Sequence, residues 1–332
     1  MDHQRNTLRL GAAAIVLALF LRLGAGNLYQ KFADFFNDPT IQSFLVYLET
    51  GRHVRFSPSL EDLTDSVGES PPPKLFLRHE DFAIPRFTDD DASDIALYYG
   101  CGLRPDTAPL LTRPLTWDLT ADGPTVLILH THTTESYTKG GADYTETSAY
   151  RTLDDRYNMI AVGEQVMQIL TDYGIHAIHD TELHDYPSYN GSYNHARKSI
   201  QHYLEQYPSI RLVLDLHRDA SGDLSKQFRP VAAVNGQNTA QLMVVMGTNA
   251  SGLKHPNWED NLSLGLKLHA QLERIAPGIT RPLCLRSSRF NQDLSPGALL
   301  IEVGAAGNSQ EEALRGARIL AEAIAGLAKG TQ

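Results

Sequence analysis

The stretch TVLILHTHTTESY, Thr125 to Tyr137, places two imidazoles and a carboxylate directly behind four consecutive apolar residues, Val126 to Leu129. A strand with one face in water alternates polar and apolar residues, whereas an unbroken apolar run reads as a strand buried on both faces. His130, His132 and Glu135 therefore fall where a buried strand leaves the core. Two distant segments end in the same manner. RLVLDL, Arg211 to Leu216, runs into His217, Arg218 and Asp219, and ALLIEVG, Ala298 to Gly304, carries Glu302 among apolar neighbours. Neutral imidazoles with a carboxylate suit Zn²⁺ and leave a position for water. Glu302, unless it is itself a ligand, is then placed to take a proton from that water and deliver it to a leaving amine. The expectation is a zinc site built from His217, one or both of His130 and His132, and Glu135, with Glu302 as catalyst.

Bland readings compete with each of these. A lone histidine after a strand is usually a capping or hydrogen-bonded residue; two within three positions, matched by His217, favour a metal instead. A charge inside an apolar strand is costly unless paired. Asp215 therefore reads equally as a partner of a ligand histidine or as half of a structural ion pair. His176, His179, His184, His195, His202, His255 and His269 are read as structural or surface residues.

Holding such groups together takes a framework, and from Thr125 onward strand-length apolar runs alternate with amphipathic segments. A helix is expected from about Tyr157 to Tyr173, with Asp154 and Asp155 as N-cap candidates and Gly174 as its stop. IHAIH reads as a second strand, followed by a helix around Asn194 to Gln206. QLMVVMG, Gln241 to Gly247, is a further strand; helices from Trp258 to Ile275 and from about Glu311 to Ala328 complete the series. This predicts an α/β sheet with helices on both faces. In such sheets the C-terminal ends of the strands line the ligand crevice, which is where the histidines and Glu302 fall.

The chain has 332 residues, 42% of them hydrophobic, enough for one sizeable core plus accessory segments. A formal charge of −10 and the absence of a long Lys/Arg cluster argue against a nucleic-acid partner. The only cysteines, Cys101 and Cys284, form no CxxC pair, which excludes a disulfide framework and a thiolate zinc knuckle. LGAAAIVLALFL, Leu10 to Leu21, is unbroken apolar sequence with Arg5 and Arg9 on its entering side. It predicts a single-pass membrane anchor over residues 1–26 with everything after it outside the cytoplasm, a cleaved signal being the competing reading. Residues 27–84 read as a helical tether and a linker containing SPPPK, and residues 85–332 as the catalytic domain.

HTHTTESY, HDTELHDYPSYNGSY, DLHRDA, RFNQDLSPGALLIEVG and NSQEEA follow one another in this order, down to Ala313. The series resembles the stage II sporulation protein P family, membrane-anchored cell-wall hydrolases of endospore formers, whose catalytic domain resembles the zinc N-acetylmuramoyl-L-alanine amidases. The resemblance implies an amidase-like sheet and a peptidoglycan substrate. It implies removal of stem peptides by cutting the amide between N-acetylmuramic acid and L-alanine, with endopeptidase cleavage of cross-links beside it. It also implies partnership with SpoIID and SpoIIM at the engulfing membrane. His217 and Glu302 match the amidases' second histidine ligand and late catalytic glutamate. Those amidases carry one histidine after a Pro-Gly turn, where this chain has His130 and His132 without the turn, so the choice between them stays open. The carboxylate ligand stays open too, between Glu135 and Asp154, which begins the first helix where the amidases place their glutamate.

Arg218, Arg289, Asn291 and Gln292 lie beside the site-bearing segments and offer planar donors for the carboxylates and amides of a stem peptide, or else support the site from behind. Asp185 to Asn194, rich in Tyr, Asn and Gly, suits a loop over a sugar-peptide groove. Two other function classes stand beside hydrolysis with zinc. One is a module that holds peptidoglycan without cutting it; the other is a metal-free hydrolase using Ser136 or Ser295, neither of which sits in a GxSxG elbow.

Overall fold

The structure, a computed structural model, describes residues 84–220 and 227–332. The helices are α1 (Asp89–Asp94), α2 (Ala108–Thr112), α3 (Met159–Asp172), α4 (Ser192–Gln206), α5 (Trp258–Ile275) and α6 (Gln310–Gly326). The strands are β1 (Leu97–Tyr99), β2 (Val126–Leu129), β3 (Glu146–Ser148), β4 (Arg151–Thr152), β5 (Ala177–His179), β6 (Leu212–Asp219), β7 (Val231–Val234), β8 (Gln237–Ala240), β9 (Leu242–Gly247), β10 (Leu283–Arg286) and β11 (Ala298–Ala305). Seven of them form one sheet in the order β1-β10-β9-β11-β6-β2-β5. β3 pairs with β4 and β7 with β8 as separate two-stranded ribbons.

β11, β6, β2 and β5 run parallel, so the three segments singled out above are sheet neighbours whose C-terminal ends lie side by side. β9 meets β11 antiparallel, and β10 and β1 run parallel to β9. The sheet is therefore mixed. Buried apolar runs do not encode strand direction, and the sequence carried no sign of the reversal at β9.

Alternation along each strand sorts side chains between two unlike faces. Leu212, Leu214 and Leu216 of β6, Leu299, Ile301 and Val303 of β11, and Val244 and Met246 of β9 join the main core, which α3, α5 and α6 supply with Val166, Leu170, Leu266, Leu320 and Ile324. Each such aliphatic side chain contributes about 1.5–3 kcal/mol on burial. On the opposite face Leu127, Leu129 and Val213 pack under Ala196 and Ile200 of α4. Farther along that face Met243, Val245, Cys284 and Leu300 pack with Phe290 instead of a helix. Helices thus flank both faces, three on one and α4 alone on part of the other. Asp215, His217 and Glu302 belong to this second, thinly covered face.

The register of β11 against β6 runs evenly as far as Glu302 opposite His217, then shifts so that Ala305 faces Asp219, a bulge of one residue. Gly304 lies within it at φ +68°, and a Cβ there would meet Asn308 Oδ1 at 2.7 Å and the Ala240 side chain at 2.8 Å. Capping follows local sequence. Ser309 and Glu312 form a capping box on α6, and the Asn158 side chain accepts from the Ile160 N–H at the start of α3. The N-cap of α3 is therefore Asn158 and neither Asp154 nor Asp155, because the turn at 154–157 holds Asp154 against Arg156.

One expectation is corrected. No helix of the described residues is long and apolar enough to cross a membrane. The segment 1–26, on which a single-pass anchor was expected, lies outside the described residues, as does nearly all of the tether at 27–84.

Candidate metal and catalytic site

Behind Leu129 the chain stays in the interior, and every residue from His130 to Tyr137 is buried. A buried loop leaves main-chain polar groups that need partners, and its threonines share in supplying them. Thr131 donates its N–H and its hydroxyl to Asp215 at 2.8 and 2.6 Å, and Thr134 donates both of its own to Asp185 at 3.1 and 2.8 Å. The loop is thereby tied to β6 on one side and to the segment after β5 on the other.

The two histidines of this loop meet different surroundings. His130 Nδ1 lies 3.0 Å from the Leu216 carbonyl, to which it donates, so Nε2 accepts from His179 Nε2 at 2.9 Å. Burial, with the His179 ring beside it, pushes its pKa down to about 3. Both nitrogens are engaged, and a Cβ on Gly163 of α3 would collide with His179 and come within 2.6 Å of His130 Nε2. His132 has Nε2 at 3.1 Å from the Tyr189 hydroxyl and its ring stacked on Tyr189 at 4.5 Å between centroids. Its Nδ1 is buried without a partner. Burial lowers its pKa to about 4, so it is a neutral imidazole at neutral pH.

His217 sits edge-on to His132, ring centroids 5.2 Å apart. Its Nε2 faces Asp215 Oδ1 at 2.9 Å and its Nδ1 faces Glu135 Oε2 at 3.5 Å. Burial opposes a charge here, but the two carboxylates override it and hold His217 protonated well above the ordinary histidine range. Glu135 is held by Arg218 at 3.3 Å and Arg151 at 3.2 Å, both on Oε1. Burial would raise its pKa; Arg218 and His217 instead keep it well below the usual carboxylate range. Both nitrogens of His217 thus face carboxylates, and Asp215, fixed by Thr131, is the one placed to orient the ring.

Glu302 lies between these groups and the antiparallel half of the sheet, with His217 and Met243 as its register partners on either side. Its Oε2 is buried without a hydrogen-bond partner. Burial raises its pKa to about 8; His217 opposes the shift, and Glu135 and Asp219 add to it. An unpaired carboxyl of this kind marks functional sites more often than structural ones.

Residues 79–325 match the family described as Stage II sporulation protein P (SpoIIP). The chain belongs to this family. Stage II sporulation protein P of Bacillus subtilis (strain 168) is 29% identical over 217 residues, which are 61% of this chain and 51% of that protein. The chain thus spans about half the length of this curated relative. Among solved structures, the N-acetylmuramoyl-L-alanine amidase AmiC2 of Nostoc punctiforme is similar at 13% identity and a TM-score of 0.37, over 61% of this chain and 97% of that one. The CwlD amidase from Clostridioides difficile, in complex with the GerS lipoprotein, is similar at 13% identity and a TM-score of 0.38, over 62% and 97%. Likenesses this remote fix no residue's role.

Within this SpoIIP chain the expected site residues separate into three groups. His132, Glu135, His217 and Glu302 meet at the ends of β2, β6 and β11, while His130 turns away toward α3 and spends both nitrogens there. Asp154 pairs with Arg156 in the turn before α3. The side chains expected to contact substrate all have partners within the protein. Arg218 is 5% exposed and donates to Glu135, Ser136 O and Tyr150 O. Gln292 is 2% exposed, accepting from Gly247 N–H and donating to Val245 O, and Asn291 donates to Tyr193 O. These side chains brace the site because their polar atoms are already used. Arg289 reaches Asp293 and the Lys254 carbonyl on the surface.

Sequence reasoning missed Arg151, Asp185, Tyr189 and the His130–His179 pair. For Tyr189 a signal was present, its place in the Tyr-rich loop. Among the described residues, Asp180, Glu182 and His184 are the set whose ligand atoms all lie within 4.8 Å of one another. There Asp180 accepts from Glu182 N–H and pairs with His184 at 3.3 Å, which is also what a turn after β5 requires. The His132, Glu135 and His217 atoms are more widely spaced.

Proposed function

We propose that this chain is a peptidoglycan hydrolase, an N-acetylmuramoyl-L-alanine amidase that frees stem peptides from glycan strands, with residues 85–332 as its catalytic domain. The observation that carries the proposal is Glu302, a buried carboxyl with an unpartnered oxygen beside His217. Family membership supports the peptidoglycan substrate, a role in sporulation, and SpoIID and SpoIIM as partners.

The donor set suits Zn²⁺: a neutral imidazole with an unpartnered buried nitrogen, a histidine backed by a carboxylate, and a second carboxylate. His132, Glu135 and His217 would hold the ion, which when bound supplies a Lewis acid and lowers the pKa of water. Asp215, fixed by Thr131, orients His217. The Arg218 and Arg151 guanidiniums draw on Glu135 Oε1, while Oε2 accepts from the Arg218 main-chain N–H at 3.3 Å and faces His217. Filling the site must displace the proton that His217 holds in the free protein. Glu302 takes a proton from the attacking water and returns it to the nitrogen of the leaving L-alanine.

The test is Glu302→Gln, which keeps size and removes proton transfer. Hydrolysis of purified peptidoglycan is expected to fall roughly 10²- to 10⁴-fold, with zinc content unchanged. Mass spectrometry of wild-type products should show peptides with a new L-alanine amino terminus. Equal activity in the variant removes Glu302 from the reaction. No cleavage by the wild type, with SpoIID supplied, leaves a module that binds the wall without cutting it.

A further inference from the structure

The sheet face that carries His217 and Glu302 continues beyond them. Glu302 faces Met243 on β9, Val245 faces Cys284 on β10, and Cys284 faces Tyr98 on β1, so alternate side chains on these strands form one surface. α4 covers the β2 and β6 portion of this face and contributes nothing here. In its place is a cavity of about 320 Å³. Met243 and Cys284 give it an apolar floor, Tyr98 stands at one side 58% exposed, and Arg281, Arg286 and Asp219 provide the charge.

The two arginines are not equivalent. Arg281 is spent on Asp219 at 2.8 Å. Arg286 has no ion-pair partner among the described residues, yet it is held in place. Its stem runs along Gly100, where a Cβ would meet its Cδ at 3.2 Å and its Nη1 at 3.6 Å, and its guanidinium lies 6.0 Å from the centre of the Tyr98 ring. A positioned guanidinium without an anion is a receptor for a carboxylate, which its planar fork can engage through two hydrogen bonds. Two strand spacings of about 4.8 Å, with the four residues that separate the Met243 and Gly247 positions along β9, put Arg286 roughly 16 Å from Glu302. About five extended residues cover that span at about 3.3 Å each.

We infer that this cavity is a subsite for the leaving peptide, which crosses Met243 from the cut amide and presents a free carboxylate, about five residues on, to Arg286. The inference rests on the hydrolase reading for the placement of the cut. It assigns Arg286 a specificity role separate from that of Glu302, and it accounts for an arginine otherwise left without a counter-charge.

The test uses the full chain and a pair of muramoyl-pentapeptides, L-alanine followed by four neutral residues, ending in a free carboxylate or a carboxamide. Hydrolysis is measured for both, and binding of the two corresponding free pentapeptides is measured by calorimetry. The free acid should be preferred by roughly 10- to 100-fold in both assays, as expected for a hydrogen bond to a charged group. Arg286→Ala should bring that preference within about threefold of unity. Arg286→Lys, which keeps the charge and loses the fork, should retain part of it and guards against a folding defect in the alanine variant. Equal binding of the two peptides by the wild type, or an undiminished preference in Arg286→Ala, overturns the subsite. Hydrolysis of neither substrate, with the binding preference intact and lost in Arg286→Ala, defeats the hydrolase reading and leaves the carboxylate site standing.

Discussion

His130 and His132 are two residues apart on one buried loop, both held neutral by burial, and they end in regions of opposite character. Around His130 every polar atom of the ring is answered, by Leu216 O and by His179, and α3 closes over the pair at Gly163. Around His132 one nitrogen is held by Tyr189 and the other meets nothing, with the His217 ring edge-on beside it. Residue type and spacing do not distinguish a ligand from a structural histidine. The account of hydrogen-bond partners supports the proposed choice, because His132 Nδ1 is the one unengaged nitrogen of these two rings.

The sharpest way to break this contrast is to remove each histidine in turn. His132→Ala should lose stoichiometric zinc, with affinity down by more than about 100-fold, beyond the 10- to 100-fold typical of residues that only support ligands. His130→Ala should keep its zinc and lose roughly 1–3 kcal/mol of folding stability, since Leu216 O and His179 would be left unanswered. Metal analysis beside chemical denaturation of the same two proteins decides it, and zinc retained by His132→Ala with loss from His130→Ala would reverse the assignment.

Gly163→Ala probes the closed region alone. A methyl there overlaps the His130–His179 pair, and a destabilisation of about 1–3 kcal/mol is expected, visible as a lower denaturation midpoint with zinc content unaltered. Unchanged stability would mean that the pair is loosely held. In the open region Tyr189→Phe removes the hydroxyl from His132 Nε2 while keeping the stacked ring. Zinc affinity should fall about tenfold; an unchanged affinity would leave Tyr189 only a packing role.

The smallest effect lies far from both histidines and tests whether the helix-covered face is as dry as its aliphatic residues suggest. Lys267 of α5 is 1% exposed, donates to Ser263 Oγ at 2.8 Å and Leu110 O at 3.0 Å, and has its pKa lowered by burial to about 8 from 10.5. Between those values the unfolded chain binds a proton that the folded chain has released, so stability rises with pH through that window; below it the cost of the buried charge is constant. Lys267→Met should be more stable than the wild type by about 1 kcal/mol at pH 7, with the gap closing as pH approaches 10.5. A gap independent of pH would show that Lys267 stays charged throughout.

The convergence of β2, β6 and β11 was legible because each is a short apolar run that stops at a residue too polar for the core. α5 could be read to both its ends, Trp258 and Ile275, from apolar periodicity alone. β1 and β10 were missed because three or four residues such as LCLR carry too little pattern to register. Near the site, Arg218 and Gln292 were legible as neighbours of the chemistry, but not as its internal braces. Their partners, Tyr150 O and Gly247 N–H, come from remote parts of the chain. The His130–His179 pairing was hidden for the same reason, since His179 enters it from another strand.

The bulge after Glu302 has a consequence for how such a chain can change over generations. Upstream of it, Ala298 to Glu302 is locked in even register to β6, and loss or gain of one codon there would turn Glu302 into the aliphatic core and an isoleucine or valine toward His217. Downstream the one-residue slack has already been taken up at Val303 and Gly304. Length variation is therefore expected to be lethal to activity on one side of Glu302 and survivable on the other. A single-residue deletion scan across 298–308 should show that boundary as a step.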